Sequence, residues 1–385
     1  MNFVTNHLGG ADIAFFLLDL DGGGTERAIV ALAGEIGRQG YAVDLVVGDA
    51  DSDYRSEISS AVHVHDFVTR SPLLVFFRLI AYLRRRKPMV VMSALDLPNI
   101  MSVVAARFAG YKGRTIISQR AVLAASQTEV APSRRILTAL LQRVCFSRAD
   151  AVISNSYAAA NEVRTLLGVP ADRVVTIHNA LDADRINRLA SEEVDGDFLS
   201  KNRVPMIVSV GSFTKRKDME TLIKAFQIVK AQRRVSLVII GKGPEQHKIE
   251  SLISDLGLDE DVHLPGFDAN PYKWVAAAAV FVSSSTGEGF PNVIAEALAL
   301  GRSIVATDCP GDTAELLWHG KWGRLVPVRD PGRMADAILA ALDDPNPPDG
   351  RIRAADFSPS KITSAYLNVL LPKFDHAAGA IRHSV

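Results

Sequence analysis

The segment from Ser283 to Gly311, SSSTGEGFPNVIAEALALGRSIVATDCPG, gathers more chemically useful groups than any other in this chain of 385 residues. It opens on small hydroxyl residues, sets Glu288 between Gly287 and Gly289, and continues with Phe290, Pro291, Asn292 and Val293. A proline at the first helical position leaves the following backbone N–H groups unpaired by the helix. With the helix dipole, those donors make an anion site. The distal phosphate of a nucleotide diphosphate suits such a site. Glu296, one turn further on, could accept hydrogen bonds from both hydroxyls of a ribose, while Glu288 would face a sugar beyond the phosphates. A plain helix start with a surface glutamate explains neither the glycines around Glu288 nor the second small-residue loop at Thr307–Gly311.

Two other loops carry usable groups. Lys215, Arg216 and Lys217 stand just before an amphipathic helix, where cations are unfavourable against the dipole, so a solvated helix start explains them poorly. Gly22, Gly23 and Gly24 let a backbone approach a diphosphate or an acceptor closely, although a triple glycine is often only a turn. Neither GGGTER nor GKGPEQ completes the dinucleotide fingerprint G-x-G-x-x-G, and no Walker A sequence occurs.

The elements that must position these groups alternate along the chain. Strands are predicted at 13–18, 43–47, 90–92, 115–118, 151–154 and 174–177, then at 206–210, 236–240, 262–264, 280–283 and 303–307. Between them lie helical stripes such as Ile29, Leu32, Ala33, Ile36 and Leu222, Ala225, Phe226, Val229. That alternation is the pattern of parallel sheets covered on both faces by helices. The polar stretch 183–204 breaks the periodicity and reads as a linker. It divides a first Rossmann-like domain at 1–182 from a second at 205–357, with 358–385 as a C-terminal segment. The fold class is therefore α/β, two doubly wound domains in tandem, and an interdomain cleft at the carboxyl ends of the strands is the expected ligand site.

Composition narrows the function. Hydrophobic residues make up 48% and charged residues 22%, with a formal net charge of +0, which gives no sign of a nucleic-acid partner. Cys145 and Cys309 make no disulfide framework, which fits a reducing cytoplasm. The apolar run at 73–83 is too short to span a bilayer and is interrupted by Arg78, and no signal peptide is evident. His178, His263 and His319 lack metal-ligand spacing. D-x-D matches starting at Asp19, Asp49, Asp51, Asp182, Asp195 and Asp259 are scattered through polar stretches, so no metal and no cofactor are expected.

Two glutamates separated by seven residues within EGFPNVIAE, followed by GRSIVATDCPG, resemble the signature of family 4 retaining glycosyltransferases of the GT-B fold. The resemblance runs over nearly the whole chain. It implies that Glu288 contacts the donor sugar and that Glu296 holds the ribose. IGKGPEQHKIESLISDLGLDEDVHLPGF resembles the family's nucleotide-binding stretch, with Gly241 and Gly243 in one loop and Gly266 and Phe267 near the base. SNSYAAANEVRTLLGVPADRVVTIHNALD resembles the family's exit from the first domain. LDGGGTERAIVALAGEIGRQG resembles its N-terminal glycine-rich loop. VGSFTKRKDMETLIKAF resembles the diphosphate clamp. Lys217 fits the lysine position there, but Ser212 stands where an arginine is usual, so Arg216 or Lys215 must supply the missing charge. Such cations answer the negative charge that a leaving diphosphate gains.

Many members of the family place a histidine at the end of an N-domain strand. Here TIISQRAVL puts Arg120 there, as in subgroups with Ser-x-Arg, some of which act on lipid-linked oligosaccharides. The resemblance then implies a reaction without an enzymatic base, in which the leaving phosphate takes the acceptor proton and Arg120 stabilises charge; a structural role for Arg120 is the competing reading. Arg70, Arg78, Arg84, Arg85, Arg86 and Lys87 lie among Leu73, Leu74, Phe76, Phe77 and Tyr82 with no acid between, and from Lys112 to Arg148 the only acid is Glu129, against Arg134, Arg135 and Arg143 among others. Both stretches suit an anionic membrane surface or a diphosphate-bearing acceptor. The resulting expectation is a hexosyltransferase with a UDP-linked donor and a saccharide or polyprenyl-linked acceptor. It would be cytoplasmic, peripheral on the inner face of the plasma membrane, and engaged in bacterial surface polysaccharide or glycolipid assembly. The competing readings are a sugar-nucleotide 2-epimerase of related fold and a nucleotide-sugar-binding protein without turnover.

Overall fold

Thirteen short strands form two wholly parallel sheets among the residues that the computed structural model describes, 10–20, 24–51, 55, 57–120, 140–194 and 204–372. The backbone divides into two units, residues 1–178 with 359–385, and residues 179–358. In the first unit the strands are β1 (Ile13–Asp19), β2 (Val43–Asp49), β3 (Val62–Asp66), β4 (Val90–Ala94), β5 (Arg114–Gln119), β6 (Ala151–Ser154) and β7 (Val174–Thr176). Their spatial order is β3-β2-β1-β4-β5-β6-β7. Helices α1 (Gly24–Arg38), α2 (Pro72–Arg86), α3 (Asp96–Ala109) and α4 (Tyr157–Thr165) connect them.

Because both faces are covered, neighbouring residues of one strand serve different cores. Ile13, Phe15 and Leu17 of β1 pack with Ile29, Ala33 and Ile36 of α1. Ala14 and Phe16 pack on the opposite face with Val75, Leu79 and Leu83 of α2.

The second unit holds α5 (Ala183–Ala190), β8 (Met206–Val210), α6 (Met219–Lys230), β9 (Ser236–Ile240), α7 (Gln246–Asp255), β10 (Val262–Gly266), α8 (Tyr272–Ala277), β11 (Val280–Ser283), α9 (Asn292–Ala299), β12 (Ser303–Thr307), β13 (Arg324–Val326) and α10 (Pro331–Leu342). Its strand order is β10-β9-β8-β11-β12-β13. Helix α5 occupies the start of the stretch that reads as a linker. Asp182 caps it by accepting the Arg185 N–H, and Ile186 enters the core with Leu181 and Val194. Its polar residues lie on the outer face, so the loss of apolar density in sequence is that of a surface helix rather than of a connector. The backbone break falls at 178/179, four residues before the boundary read from the sequence.

The last described helix, α11 (Pro359–Leu370), returns to the first unit, where Ile362, Tyr366 and Leu370 join the core beneath α1. Arg114 of β5 donates to the carbonyls of Val369 and Leu370, which would otherwise be unpaired at the helix end.

In each sheet the chain starts at an inner strand, builds outward to one side, and then crosses to the other. The switch points lie between β1 and β4 and between β8 and β11. Loops leaving the carboxyl ends of those strand pairs diverge to opposite faces and leave room for a ligand. The loops richest in functional groups, after β8 and β11, flank the second of these points. The sheet beneath them depends on large buried side chains. Phe226 of α6 is fully buried among Leu222, Ile239 and Val282. Phe226→Ala should cost about 3–5 kcal/mol, measured as a lowered midpoint in denaturant unfolding followed by far-UV circular dichroism.

Candidate active site

Strand β8 ends at Val210, and Gly211 turns the chain into a loop that closes with a tight helical turn at Lys215–Lys217. Asp218 follows with φ 46°, in the left-handed region, and caps α6 by accepting from Thr221 N–H and Thr221 Oγ1. This reversal directs Lys217 and Arg216 towards the loop after β11. That loop holds them in place. Ser284 Oγ donates to Lys217 O at 2.8 Å, and Thr286 N donates to Arg216 O at 2.8 Å.

Glu288 lies at the centre of the cluster and is 8% exposed. Its Oε1 accepts from Lys217 Nζ at 2.5 Å and from Ser285 Oγ at 2.6 Å, and its Oε2 accepts from Arg216 Nη1 at 2.7 Å. Arg216 Nη1 also donates to Gly287 O at 2.7 Å. Burial works against the charged carboxylate, but Lys217 and Arg216 outweigh it and hold the Glu288 pKa below its ordinary value. A buried carboxylate with two cations and a hydroxyl meets the condition on which a buried charge is tolerated.

The neighbouring strand end fixes the Glu288 backbone. Glu288 N donates to Pro310 O at 2.9 Å, and Asp312 N donates to Gly289 O at 3.1 Å. Thr307 Oγ1 at the end of β12 donates to Ser285 O at 2.5 Å. Gly311 has φ 131°, and a Cβ there would lie 1.9 Å from Glu288 O, so only glycine lets the two loops meet. The small residues of Thr307–Gly311 thus form the seat of the Glu288 loop.

The residues offered in place of an arginine at Ser212 are placed differently. Ser212 is exposed and its carbonyl accepts the Thr214 N–H at 2.9 Å. Lys215 is exposed on another side, lining a pocket with Asp218, Glu220, Glu245 and Lys248. Arg216 is the one that joins Lys217 at Glu288.

Helix α9 departs from the expected start. Pro291 occupies the cap position, with φ −81° and ψ 81°, and the helix begins at Asn292. Asn292 N–H is not a spare donor, because it bonds Phe290 O at 3.0 Å. The turn follows Phe290, whose ring is buried 5.3 Å from that of Phe357. Phe290 is therefore a core anchor of the loop. Val293, half-buried, follows in the first turn. Glu296 is half-buried further along α9, and its Oε1 accepts from Tyr272 Oη at 3.3 Å. Tyr272 of α8 carries no motif and could not be found from sequence.

Gly241, Gly243, Gly266 and Phe267 come together at the ends of β9 and β10. Gly241 N donates to Gly266 O at 2.9 Å, and Phe213 N donates to Lys242 O at 3.0 Å. Cβ atoms would lie 2.0 Å from Gly211 O at Gly241 and 2.5 Å from Phe213 O at Gly243. Phe267 is 67% exposed, with Lys242 Nζ 5.1 Å from its ring centre. A flat aromatic surface beside a cation can receive a base.

In the first unit, Arg120 leaves the carboxyl end of β5, donating from Nε to Ser118 Oγ at 3.2 Å and from Nη2 to Tyr366 Oη at 3.0 Å. The Ser118 carbonyl accepts from buried Asn99, which Ser93 and Ser102 hold in turn. Gly24 opens α1, while Gly22 and Gly23 lie outside the described residues, as do Glu129, Arg134, Arg135 and Asp195. Several of the remaining aspartate and histidine candidates take structural partners. Asp49 pairs with Arg70, Asp182 caps α5, Asp259 accepts from Ser254, and His263 lies 5.8 Å from the Trp274 ring.

Comparison with known proteins follows the same division. A family profile described as Glycosyltransferase Family 4 matches residues 22–185, and one described as Glycosyl transferases group 1 matches residues 204–344. The chain is 28% identical over 345 residues to the N-acetylgalactosamine-N,N'-diacetylbacillosaminyl-diphospho-undecaprenol 4-alpha-N-acetylgalactosaminyltransferase of Campylobacter jejuni, covering 86% of this chain and 90% of the relative. It is 30% identical over 237 residues to the lipopolysaccharide core biosynthesis glycosyltransferase LpsE of Rhizobium meliloti, covering 59% and 66%. The crystal structure of Anabaena HepE in complex with UDP superposes with a TM-score of 0.75 at 20% identity, covering 93% of this chain and 99% of that one.

Two measurements check the site as built. Gly241→Ala must displace the Gly211 backbone, whereas Gly266, with φ 80°, has open space around it. Gly241→Ala should therefore destabilise the fold more than Gly266→Ala, which pays only the left-handed strain of about 1–2 kcal/mol; thermal unfolding of the pair ranks them. The second measurement is acid unfolding. A carboxylate whose pKa is lowered by folding stabilises the protein above its unfolded-state value and loses that contribution as pH falls through the folded value. Wild type should thus lose stability steeply below about pH 4.5, the ordinary value for Glu288, and Glu288→Gln should show a shallower slope in the same window.

Proposed function

The chain belongs to the group 1, family 4 glycosyltransferases of the GT-B fold, and on that premise we propose that it moves a hexose-type sugar from UDP to a saccharide carried on a lipid diphosphate, with retention of anomeric configuration. The observation that carries this reading is the meeting of Lys217, Arg216 and Glu288 at the switch point of the second sheet. Two cations against one carboxylate leave positive charge in excess where a diphosphate would lie. The leaving UDP gains negative charge as its bond to the sugar breaks, so preorganised cations favour the transition state over the ground state. They do so without a metal, and the reaction is metal-independent in this reading.

The donor is held by the second unit. Glu296 takes the ribose hydroxyls, the Gly241–Gly243 loop and Gly266 border the nucleotide, and Phe267 receives the base. Gly289, Pro291, Asn292 and Val293 line the phosphate end of α9, and Glu288 faces the sugar. The bond from the anomeric carbon to the diphosphate oxygen breaks while the acceptor oxygen bonds to the same carbon on the same face. The acceptor proton passes to the departing phosphate oxygen. No imidazole is needed, and Arg120 contributes charge rather than a proton. HepE with bound UDP supports the donor; the Campylobacter jejuni relative, named for a diphospho-undecaprenol substrate, supports the acceptor. With LpsE, these relatives favour a place in bacterial surface polysaccharide or glycolipid assembly.

UDP release from a panel of UDP-sugars, with EDTA present, tests the reading. Wild type should release UDP from one donor, and proton NMR of the product should give the donor's anomer. Arg216→Ala and Lys217→Ala should each lower kcat by about 10²–10³-fold, the range for losing one charge-stabilising donor, while Lys215→Ala stays near wild type. Release that requires a divalent cation, an inverted product, or equal losses at Lys215 and Arg216 would overturn the corresponding part.

A further inference from the structure

Helix α2 has two faces, and only one is explained by the fold. Val75, Leu79, Ile80, Tyr82 and Leu83 are buried against the first sheet. On the outer face Leu73, Leu74 and Phe77 are 65%, 50% and 58% exposed, and Phe108 at the end of α3 is 64% exposed beside them. The side chains form one patch. Phe76 stands edge-on to both Phe77 and Phe108, and Arg84 Nη2 donates to Phe108 O at 2.8 Å. Scattered exposed hydrophobic residues are ordinary, but a contiguous group of large ones marks a contact surface.

Charge identifies what it contacts. From Phe67 to Leu95 the sequence contains six cations and no acid. Residues 73, 77 and 84 fall in one row along the helix, and 74, 78 and 85 in the next, so the apolar first half leads into Arg78, Arg84 and Arg85 on the same side. Arg86 belongs elsewhere, because its guanidinium is 3.2 Å from Asp44, which also accepts from Tyr82 Oη at 2.6 Å inside the unit. A second copy of this face would set arginines against arginines, and an acidic protein partner would leave the phenylalanines and leucines without a match. A surface apolar within and anionic at its rim fits both halves.

We infer that the outer face of α2, with Phe108, docks on an anionic lipid surface, with Leu73, Leu74, Phe77 and Phe108 entering the acyl boundary and Arg78, Arg84 and Arg85 at the headgroups. Short apolar insertion and basic attraction each give weak binding, and together they give stable, reversible association. The inference rests on the lipid-linked acceptor reading for its choice of a membrane over a protein partner.

Vesicle flotation of the full chain tests it, using phosphatidylcholine alone and phosphatidylcholine mixed with phosphatidylglycerol. Wild type should float with the mixed vesicles, less so in high salt, and remain below with phosphatidylcholine. The pair Arg84→Gln and Arg85→Gln should lower the partition coefficient by about 30-fold, given the attraction of each basic residue to such a surface. The pair Leu73→Ser and Phe77→Ser should abolish flotation, and both pairs should keep the wild-type thermal midpoint because every altered side chain is exposed. Equal binding to both vesicle types, no flotation of wild type, or a dimer that Phe77→Ser dissolves would each overturn the docking. Turnover of a short-chain polyprenyl-diphosphate saccharide, free of vesicles, separates the two readings. Its persistence without flotation sinks only the docking, and flotation without turnover of any lipid-linked acceptor sinks only the acceptor reading.

Discussion

A carboxylate removed from water must be answered by positive charge, and in the second unit the burial of Glu288 organises the loops around that requirement. Its two oxygens take Lys217 and Ser285 on one side and Arg216 on the other. Those contacts tie the loop after β8 to the loop after β11, the two loops that part at the switch point of a parallel sheet. The seat beneath is built of residues too small to interfere, Gly311 above all, where a side chain would collide with the Glu288 carbonyl. The cluster is thus held by contacts from both loops.

The first unit satisfies a different constraint. The carboxyl end of β5 carries Arg120, and the last helix of the chain is fastened to the same strand through Arg114 and through the Tyr366 hydroxyl. Below them Ser93, Asn99 and Ser102 form a buried polar network in which Asn99 reaches the Ser118 carbonyl. Such a network fixes a backbone when its members are satisfied and is costly when they are not. Arg120 therefore stands on a braced strand end. Its contacts to Ser118 and Tyr366 are structural ones, and its chemical role belongs to the proposed reaction.

Much of this was legible in sequence for definite reasons. Strands buried on both faces appear as continuous apolar runs, so β1, β8, β9 and β12 could be read directly. The edge strands β3 and β13 could not. In β3 the sequence VHVHD is half exposed, and β13 has only three residues, one of them Arg324. Helix α5 was hidden for a related reason, since a surface helix with Ile186 as its sole fully buried residue shows little periodicity. Pro291 reads as a first helical residue by preference, and the structure sets it one position earlier, at the cap.

By itself the sequence determined that the protein is α/β with two parallel sheets, that the loops after β8 and β11 carry the charged groups, and that Glu288 and Glu296 lie on either side of a helix start. These follow from residue type, spacing and local backbone preference, which act over a few neighbours. The tertiary structure alone decided that Arg216 and not Lys215 joins Lys217, because that choice depends on which way the turn before Asp218 aims each side chain at a loop some seventy residues away. It also decided that Phe290 is an anchor, that Tyr272 reaches Glu296, and that Arg86 faces Asp44 while Arg84 and Arg85 face outward. Each of these is a contact between residues distant in the chain, and only folding brings such partners together.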